Sequence, residues 1–299
     1  MKKTLQIQSV IYGNEKESLR KALKAIKNAI IVDRKYYNTV DKVLVYYGDA
    51  SPNPVFSEEE ISAIKFDTQD FFEFKYTFFN ENTGSAKGHN IMGRECKTEF
   101  MLIMNPDVIL APNIFNQIFL PFDIEDTGMV EARQTPIEHS KEYHLLNGET
   151  EWATTACALF KKEMFDKLDG FDNETFFLYC DDLDFSWRVR LEGYKVIYQA
   201  KAVCFHAKRT SQDGKWQPTN AEKYFSAESA VLMAYKWSNM DRVDYLIGMY
   251  SNGGEIEKKV VTEFKKRKEE GHLPKQLDPE HKVARFVGDY FADHRFYLI

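Results

Sequence analysis

Residues 176–206 read FFLYCDDLDFSWRVRLEGYKVIYQAKAVCFH, and their pattern indicates a helix followed by strands. After its aromatic opening, residues 181–192 predict a helix that Gly193 ends, because glycine is a favourable C-terminal cap. Two short apolar runs follow, and they predict strands over residues 195–198 and 202–205. Alternation of helices and strands is typical of a layered α/β fold.

The chain before this stretch alternates in the same way. Apolar runs predict further strands over residues 5–11, 43–47, 71–79, 99–104, 128–132 and 156–160. Helices are predicted between these strands over residues 15–30 and 162–168. A third helix should begin at the capping box formed by Ser57 and Glu60, and a fourth should follow the glycine-rich residues 80–88 and reach about residue 96. A fifth should begin at Pro112, because proline suits the first helical turn. The pattern favours an α/β fold with a mostly parallel central sheet.

Beyond about residue 210 the strand signals stop. Residues 220–237, 241–250 and 255–270 predict helices instead. We therefore predict an α/β domain over residues 1–212 and a helical C-terminal extension over residues 213–299.

Composition narrows the class of protein. The 299 residues include 40 Lys and Arg against 46 Asp and Glu, a net charge of −6 that disfavours a nucleic-acid partner. No run approaches the roughly 18 apolar residues of a membrane span, and the first residues lack the apolar core of a signal peptide, so we expect a cytoplasmic protein. The cysteines lack metal-binding spacing and are interpreted as reduced packing residues: Cys96, Cys157, Cys180 and Cys204.

Polar residues after predicted strands are the candidates for chemistry, since ligands bind at the carboxyl ends of strands in open α/β sheets. Asp107 lies in the turn 105–107 and could hold Mg²⁺ or Mn²⁺, which prefer oxygen ligands, or could serve the turn alone. His206 ends a predicted strand and is either a packing residue or a metal ligand beside Asp107.

Three carboxylates open the predicted helix at Asp181, Asp182 and Asp184. Acids near a helix N-terminus interact favourably with the helix dipole, so capping is one interpretation. Capping needs one acid, however, and repulsion among three raises at least one pKa toward the range of a general base.

A further segment, residues 80–90, is rich in small residues and precedes a predicted helix. Small residues let a ligand approach the backbone, and a helix N-terminus favours anions. The segment matches neither a Walker loop nor a dinucleotide-binding GxGxxG motif.

The stretch from Trp152 to His206 resembles the C-terminal half of family-2 glycosyltransferases with the GT-A fold, and most closely the bacterial rhamnosyltransferase-like branch. The motifs of that branch stand here in order as Asn82, Gly84, Ala86, Gly88 and Asn90, then Asn105-Pro106-Asp107, then Gly170-Phe171-Asp172, Asp181-Asp182-Leu183-Asp184, Trp187-Arg188, Gly193-Tyr194 and His206. Tyr12-Gly13-Asn14 resembles its nucleotide-binding start, so the likeness covers about residues 4–210.

The resemblance implies a GT-A (nucleotide-diphospho-sugar transferase) fold and site residues. Asp107 and His206 would hold Mg²⁺ or Mn²⁺, and Asp182 would be the base that deprotonates the acceptor hydroxyl. Residues expected to contact the donor are Tyr12, Asn14, Asp49, Asn82, Gly84, Lys87, Asn105 and Asp107. Residues expected near the sugar or acceptor are Asp181, Thr155 and Trp152, although a core role for the tryptophan is an equal alternative.

The resemblance further implies an inverting, metal-dependent glycosyltransferase that moves rhamnose or a related hexose from a dTDP- or UDP-sugar. The expected partner is a glycan or lipid-linked acceptor in cell-surface polysaccharide synthesis. The family usually carries an acidic pair after its second strand, whereas this chain has Gly48-Asp49-Ala50. A nucleotide-sugar-binding protein without catalysis, on the same fold, is the alternative.

The predicted helix over residues 255–270 carries lysines beside Val260, Val261 and Phe264. A basic amphipathic helix could rest on the anionic inner membrane, as a peripheral contact. Interleaved glutamates favour a solvated helix instead, and the extension could also mediate a homodimer.

Overall fold

The computed structural model describes residues 2–206 and 217–296 of the chain. Its strands, in chain order, are β1 (Lys3–Ile11), β2 (Val40–Asp49), β3 (Glu73–Phe78), β4 (Phe100–Met104), β5 (Val108–Leu110), β6 (Thr127–Thr135), β7 (Cys157–Lys161) and β8 (Lys195–His206). Its α-helices are α1 (Lys16–Tyr36), α2 (Glu58–Thr68), α3 (Gly84–Arg94), α4 (Ile114–Ile118), α5 (Lys162–Lys167), α6 (Asp181–Leu191), α7 (Asn220–Lys236), α8 (Met240–Ser251) and α9 (Glu255–Glu269). The predicted α/β class is confirmed.

The strands of the described residues form one mixed sheet in the order β3-β2-β1-β4-β7-β6-β8-β5. Parallel pairing joins β1 to β2 and β4, β2 to β3, and β6 to β8. Antiparallel pairing joins β7 to β4 and β6, and β5 to β8. The sheet thus has a parallel half, β3 to β4, and a second half of mixed direction.

Strand β4 is apolar at every position because both of its faces are covered. Phe100, Leu102 and Met104 point into one hydrophobic cluster, whereas Met101 and Ile103 point into another on the opposite face. Alternate residues of a strand point to opposite faces, so a strand covered on both sides is apolar throughout. Helix α1 covers the first face, and helices α3 and α6 lie over the second.

Two details of the sheet differ from the sequence-based expectation. The runs predicted as two strands form the single strand β8, because an irregularity absorbs residues 200–202: Ala132 pairs with Gln199 and Arg133 with Val203. Strand β5 was not predicted, since three residues after a proline turn carry too short a pattern to read.

The helices of the extension pack on the α/β part through a third apolar cluster. Leu183 and Trp187 of α6 meet Leu232 and Trp237 there, and the two tryptophan rings are 5.2 Å apart. The predicted domain boundary at residues 212 and 213 lies outside the described residues.

Helix α9 turns its apolar side toward this same cluster. Val260, Val261 and Phe264 are buried, and the cluster that includes Val260 and Phe264 also contains residues of α7. The apolar face considered for membrane contact is therefore covered by the chain itself. Among the described residues, no helix is long and apolar enough to cross a membrane.

Candidate active site

Asp107 and His206 meet at the carboxyl edge of the sheet. Strand β5 follows the turn that contains Asp107 and pairs with β8, so that Val108 lies opposite His206. Asp107 Oδ1 is 3.5 Å from His206 Nε2. His206 Nδ1 is 2.7 Å from Gln134 Oε1, which can only accept a hydrogen bond, and His206 Nε2 is 3.4 Å from Asn105 Nδ2.

This pair fits a divalent cation. Two ligands bonded at about 2.1 Å to an octahedral ion lie about 3 Å apart, close to the observed separation. Within residues 2–206 and 217–296, no three His, Cys, Asp or Glu side chains cluster as a closed metal site. A cation here would keep open positions for substrate and water.

Asp182 lies at the start of α6, beside the same sheet edge. Its Oδ1 accepts a hydrogen bond from the Leu183 amide at 2.8 Å, and its Oδ2 accepts one from the Thr155 amide at 3.4 Å. The next residue, Ala156, accepts a hydrogen bond from the Asn105 amide at 3.0 Å. The loop before β7 therefore links Asp182 to the turn that carries Asp107.

The backbone before α6 is strained. Tyr179 and Cys180 both adopt the left-handed region, with φ of 69° and 58°, which is costly for residues other than glycine. Such strain is often found at functional sites, and here it delivers the acidic residues at the helix start. Burial raises the pKa of Asp182, against the lowering effects of the Leu183 amide and the charge of Lys141.

Asp181 is nearly enclosed, with 4% of its surface exposed. Burial and the neighbouring charge of Asp182 raise the pKa of Asp181 to about 7, while a hydrogen bond from Ser85 opposes the shift. Its Oδ2 has no hydrogen-bond partner among the described residues. A buried polar atom without a partner is costly and is expected where a substrate can supply the missing bond.

Asp184, the third acid of the run, faces away from this edge. It is fully buried, and its oxygens bind Lys236 at 2.6 Å, Arg188 at 2.8 Å and the Trp237 indole at 3.1 Å. Two of the three carboxylates thus belong to the candidate site, and the third anchors α7 to α6.

Asp49, of which a donor contact was expected, is engaged within its own loop. Its carboxylate is fully buried and accepts hydrogen bonds from the Ser51 amide at 2.9 Å, the Val55 amide at 2.7 Å and the Tyr76 hydroxyl. Those bonds hold the loop after β2. The carboxylate therefore stabilises the loop in this conformation.

Tyr12 and Asn14 lie at the end of β1, next to the loop after β2. Tyr12 is 53% exposed, and its amide donates to Asn14 Oδ1 at 2.9 Å. The Gly13 amide donates to Ser51 Oγ at 2.8 Å, which joins the two loops. Tyr12 is thus available at the edge where the donor was expected, and Asn14 holds its turn.

The glycines of the segment 80–90 serve packing inside the chain. Gly84 has a φ of +64°, and a Cβ atom there would lie 2.2 Å from the Phe177 carbonyl oxygen. A Cβ on Gly88 would lie 2.6 Å from Val10. The small residues let α3 approach its neighbours, which differs from the expected role in ligand approach.

The polar side chains expected from this segment bind locally. Asn82 accepts a hydrogen bond from the Gly84 amide at 3.3 Å, and Lys87 pairs with Glu81 at 2.8 Å on the surface. Helix α3 begins at Gly84, inside the segment that was expected to precede it.

Two residues near Asp182 were missed by sequence reasoning. Lys141 and Glu131 form an ion pair at 2.5 Å, each with 3% of its side chain exposed. Lys141 Nζ also lies 3.9 Å from the ring centre of Trp152, whose indole contacts His139. The available signal was Glu131 itself, a charged residue inside the otherwise apolar run 128–132.

Comparison with known proteins gives structural matches. No model of a known protein family matches the chain, and no curated protein is significantly similar to it. The mannosyltransferase PcManGT from Pyrobaculum calidifontis, in complex with GDP-Man and Mn²⁺, matches with a TM-score of 0.58 at 15% identity, over 91% of this chain and 82% of that one.

Two further solved structures match in the same way. GalNAc-T7 with UDP, GalNAc and Mn²⁺ gives a TM-score of 0.65 at 12% identity over 92% of this chain, which spans only 56% of that protein. TarS residues 1–349 from S. aureus gives 0.52 at 14% identity, over 89% of this chain and 71% of that one. Likeness at such identities shows the fold alone, and the chain therefore has the GT-A fold.

Proposed function

We propose that this chain is a metal-dependent, inverting glycosyltransferase that uses a nucleotide-diphosphate sugar. The proposal is supported mainly by the position of three side chains. Asp107 lies beside His206 at one edge of the sheet, and the loop before β7 joins Asp182 to the turn that contains Asp107. A cation ligand pair beside a separate carboxylate base suits glycosyl transfer from a diphosphate, because the cation can stabilise the leaving group and the base can take the acceptor proton.

In this proposal Asp107 and His206 would hold Mn²⁺ or Mg²⁺. A bound divalent cation neutralises the charge that develops on the leaving diphosphate. The solved mannosyltransferase and GalNAc-T7 both contain Mn²⁺, which supports the assignment. Tyr12 and the loop ends of β1 and β2 lie along the same edge and are proposed to bind the nucleotide.

Asp182 acts as the base. Its carboxylate takes the proton of an acceptor hydroxyl, the hydroxyl oxygen forms a bond to the anomeric carbon, and the bond from that carbon to the diphosphate oxygen breaks. One displacement from the face opposite the leaving group inverts the anomeric centre. The amides of Leu183 and Thr155 hold the carboxylate in place for this step.

The finer specificity follows the sequence resemblance. We propose rhamnose or a related hexose as the transferred sugar, a dTDP- or UDP-sugar as donor, and a glycan or lipid-linked acceptor in cell-surface polysaccharide synthesis. The unpartnered oxygen of the buried Asp181 is suited to accept a hydrogen bond from a sugar hydroxyl.

The first test is a thermal-shift panel of UDP-, dTDP- and GDP-sugars with and without Mn²⁺. A ligand that binds only the folded protein raises the unfolding temperature, so the true donor produces a shift that depends on the cation. The absence of any shift across the panel would contradict the proposal.

The second test measures turnover of that donor with candidate acceptors. We expect Asp182→Asn to lower kcat by about 100-fold or more, as loss of a general base does, and to preserve donor binding. Asp67→Asn, at an exposed position on α2, is the matched control and should keep full activity. Donor binding without turnover by the unaltered protein would instead favour the non-catalytic alternative.

A further inference from the structure

The buried pair of Glu131 and Lys141 lies beside the proposed base. Glu131 projects from β6, and Lys141 comes from the loop between β6 and β7; their charged atoms are 2.5 Å apart. Burying two charges costs desolvation energy that their attraction does little more than repay, so such a pair contributes little stability by itself. Stability alone therefore does not explain why Glu131 and Lys141 are buried beside Asp182.

The loop before β7 ties this pair to Asp182. Lys141 Nζ lies 3.9 Å from the ring centre of Trp152 in that loop, and the Thr155 amide of the same loop donates to Asp182 Oδ2 at 3.4 Å. Lys141 is fixed between Glu131 and the Trp152 ring, and its charge lowers the pKa of Asp182.

We propose that Lys141 is a positioning residue for Asp182: its ammonium group keeps the Asp182 carboxylate ionised and in place, and Glu131 holds the ammonium there. This inference rests on the proposed role of Asp182 as base. The lysine is too enclosed to contact solvent, with 3% of its side chain exposed, so its charge acts at short range and with little screening.

The groups that act on Asp182 come from three elements. Asp181 on the same helix and Cys180 before it are both shifted toward their neutral forms by burial and by the nearby acids. Glu131 on β6 adds negative charge, and Lys141 on the loop adds positive charge that lowers the pKa of Asp182. Removal of the lysine charge therefore leaves Asp182 among acids alone.

The direct test follows the proton on Asp182 without needing turnover. Protein labelled with carbon-13 at Asp carboxyls is titrated by NMR, and Asp182→Asn identifies the Asp182 signal. We expect the titration of Asp182 to move to higher pH in Lys141→Met and to lower pH in Glu131→Gln. An unchanged titration in Lys141→Met would overturn the proposal.

Activity provides the second readout. Lys141→Met should lower kcat about 3- to 10-fold more at pH 6 than at pH 8, because the base is protonated earlier, with little change in the KM for donor. A merely structural pair would lower kcat equally at both values, which would refute the inference. No turnover by the unaltered protein would refute the proposed function instead, while the NMR titration would still decide the role of Lys141.

Folding controls accompany both measurements. Lys141→Met leaves Glu131 buried without its partner, so the double variant Glu131→Gln with Lys141→Met replaces both charges and keeps the fold. Because the two substitutions shift the titration in opposite directions, Asp182 in the double variant should titrate at lower pH than in Lys141→Met. A titration at the same or higher pH than in Lys141→Met would count against the proposal. Lys162→Met, in a surface pair with Asp166, is the matched control and should change neither readout.

Discussion

Asp184→Asn should destabilise the protein far more than the same substitution of an exposed aspartate. Asp184 is fully buried and binds Lys236 and Arg188, which are themselves mostly enclosed. Asparagine keeps the shape and can still accept from the Trp237 indole, but it removes the negative charge. The change therefore isolates the charge from the packing.

The loss of stability in Asp184→Asn depends on which other partners Lys236 and Arg188 retain. Removing one partner of a buried ion pair costs about 3–5 kcal/mol, because a charge is left uncompensated. Lys236 retains Asp172 at 2.6 Å, and Arg188 retains the carbonyls of Leu168 at 2.8 Å and Gly170 at 2.9 Å. We therefore expect the lower end of that range, about 3 kcal/mol in the free energy of unfolding.

Urea unfolding followed by tryptophan fluorescence measures this loss, since Trp187 and Trp237 lie in the contact between α6 and α7. Asp166→Asn is the control, because Asp166 pairs with Lys162 at the same four-residue spacing but is 59% exposed. It should change the free energy by no more than about 0.5 kcal/mol. A loss below about 1 kcal/mol for Asp184→Asn, or equal losses in both variants, would refute the reasoning.

Three further predictions concern the site and its support. Burial and the charge of Asp182 raise the pKa of Asp181 from 3.8 to about 7, so between these values the native state holds a proton that the unfolded chain releases. The free energy of unfolding should therefore fall as the pH rises from about 4 to about 7. Urea midpoints measured across this range should show the fall, and Asp181→Asn should remove it. Gly84→Ala should cost at least about 2 kcal/mol by thermal or urea unfolding, whereas Gly13→Ala, with a similar φ of +62° and nothing within 4 Å, should cost only about 1 kcal/mol. His206→Ala should abolish the Mn²⁺-dependent thermal shift with donor, and the exposed His272→Ala should retain it; a preserved shift in His206→Ala would place the cation elsewhere.

Local signals account for the parts of the fold that the sequence predicts well. The run Phe100–Met104 is apolar at every position because the strand is covered on both faces, and this pattern can be read without knowing the neighbours. The capping box of Ser57 and Glu60 is confirmed at the start of α2, since both partners lie within one helical turn.

The candidate site was predictable only where a motif had a recognisable order. Asp107 and His206 are 99 positions apart, and they meet because β5 pairs with β8. The strand β5 that brings them together is three residues long and carries no readable pattern. Asp49 has the acidic character of a nucleotide contact, yet its burial under Tyr76 and the loop amides is a long-range property.

Local sequence patterns are enough to predict the order of strands and helices, the two-sided burial of the central strand and the residues available for chemistry. Which of those residues lie next to one another depends on long-range packing. Successive positions on a helix differ by about 100°, so Asp181, Asp182 and Asp184 point in different directions, and only packing shows that the last binds Lys236. Lys141 is a second example, because only the folded structure shows that its ammonium group is buried against the carboxylate of Glu131.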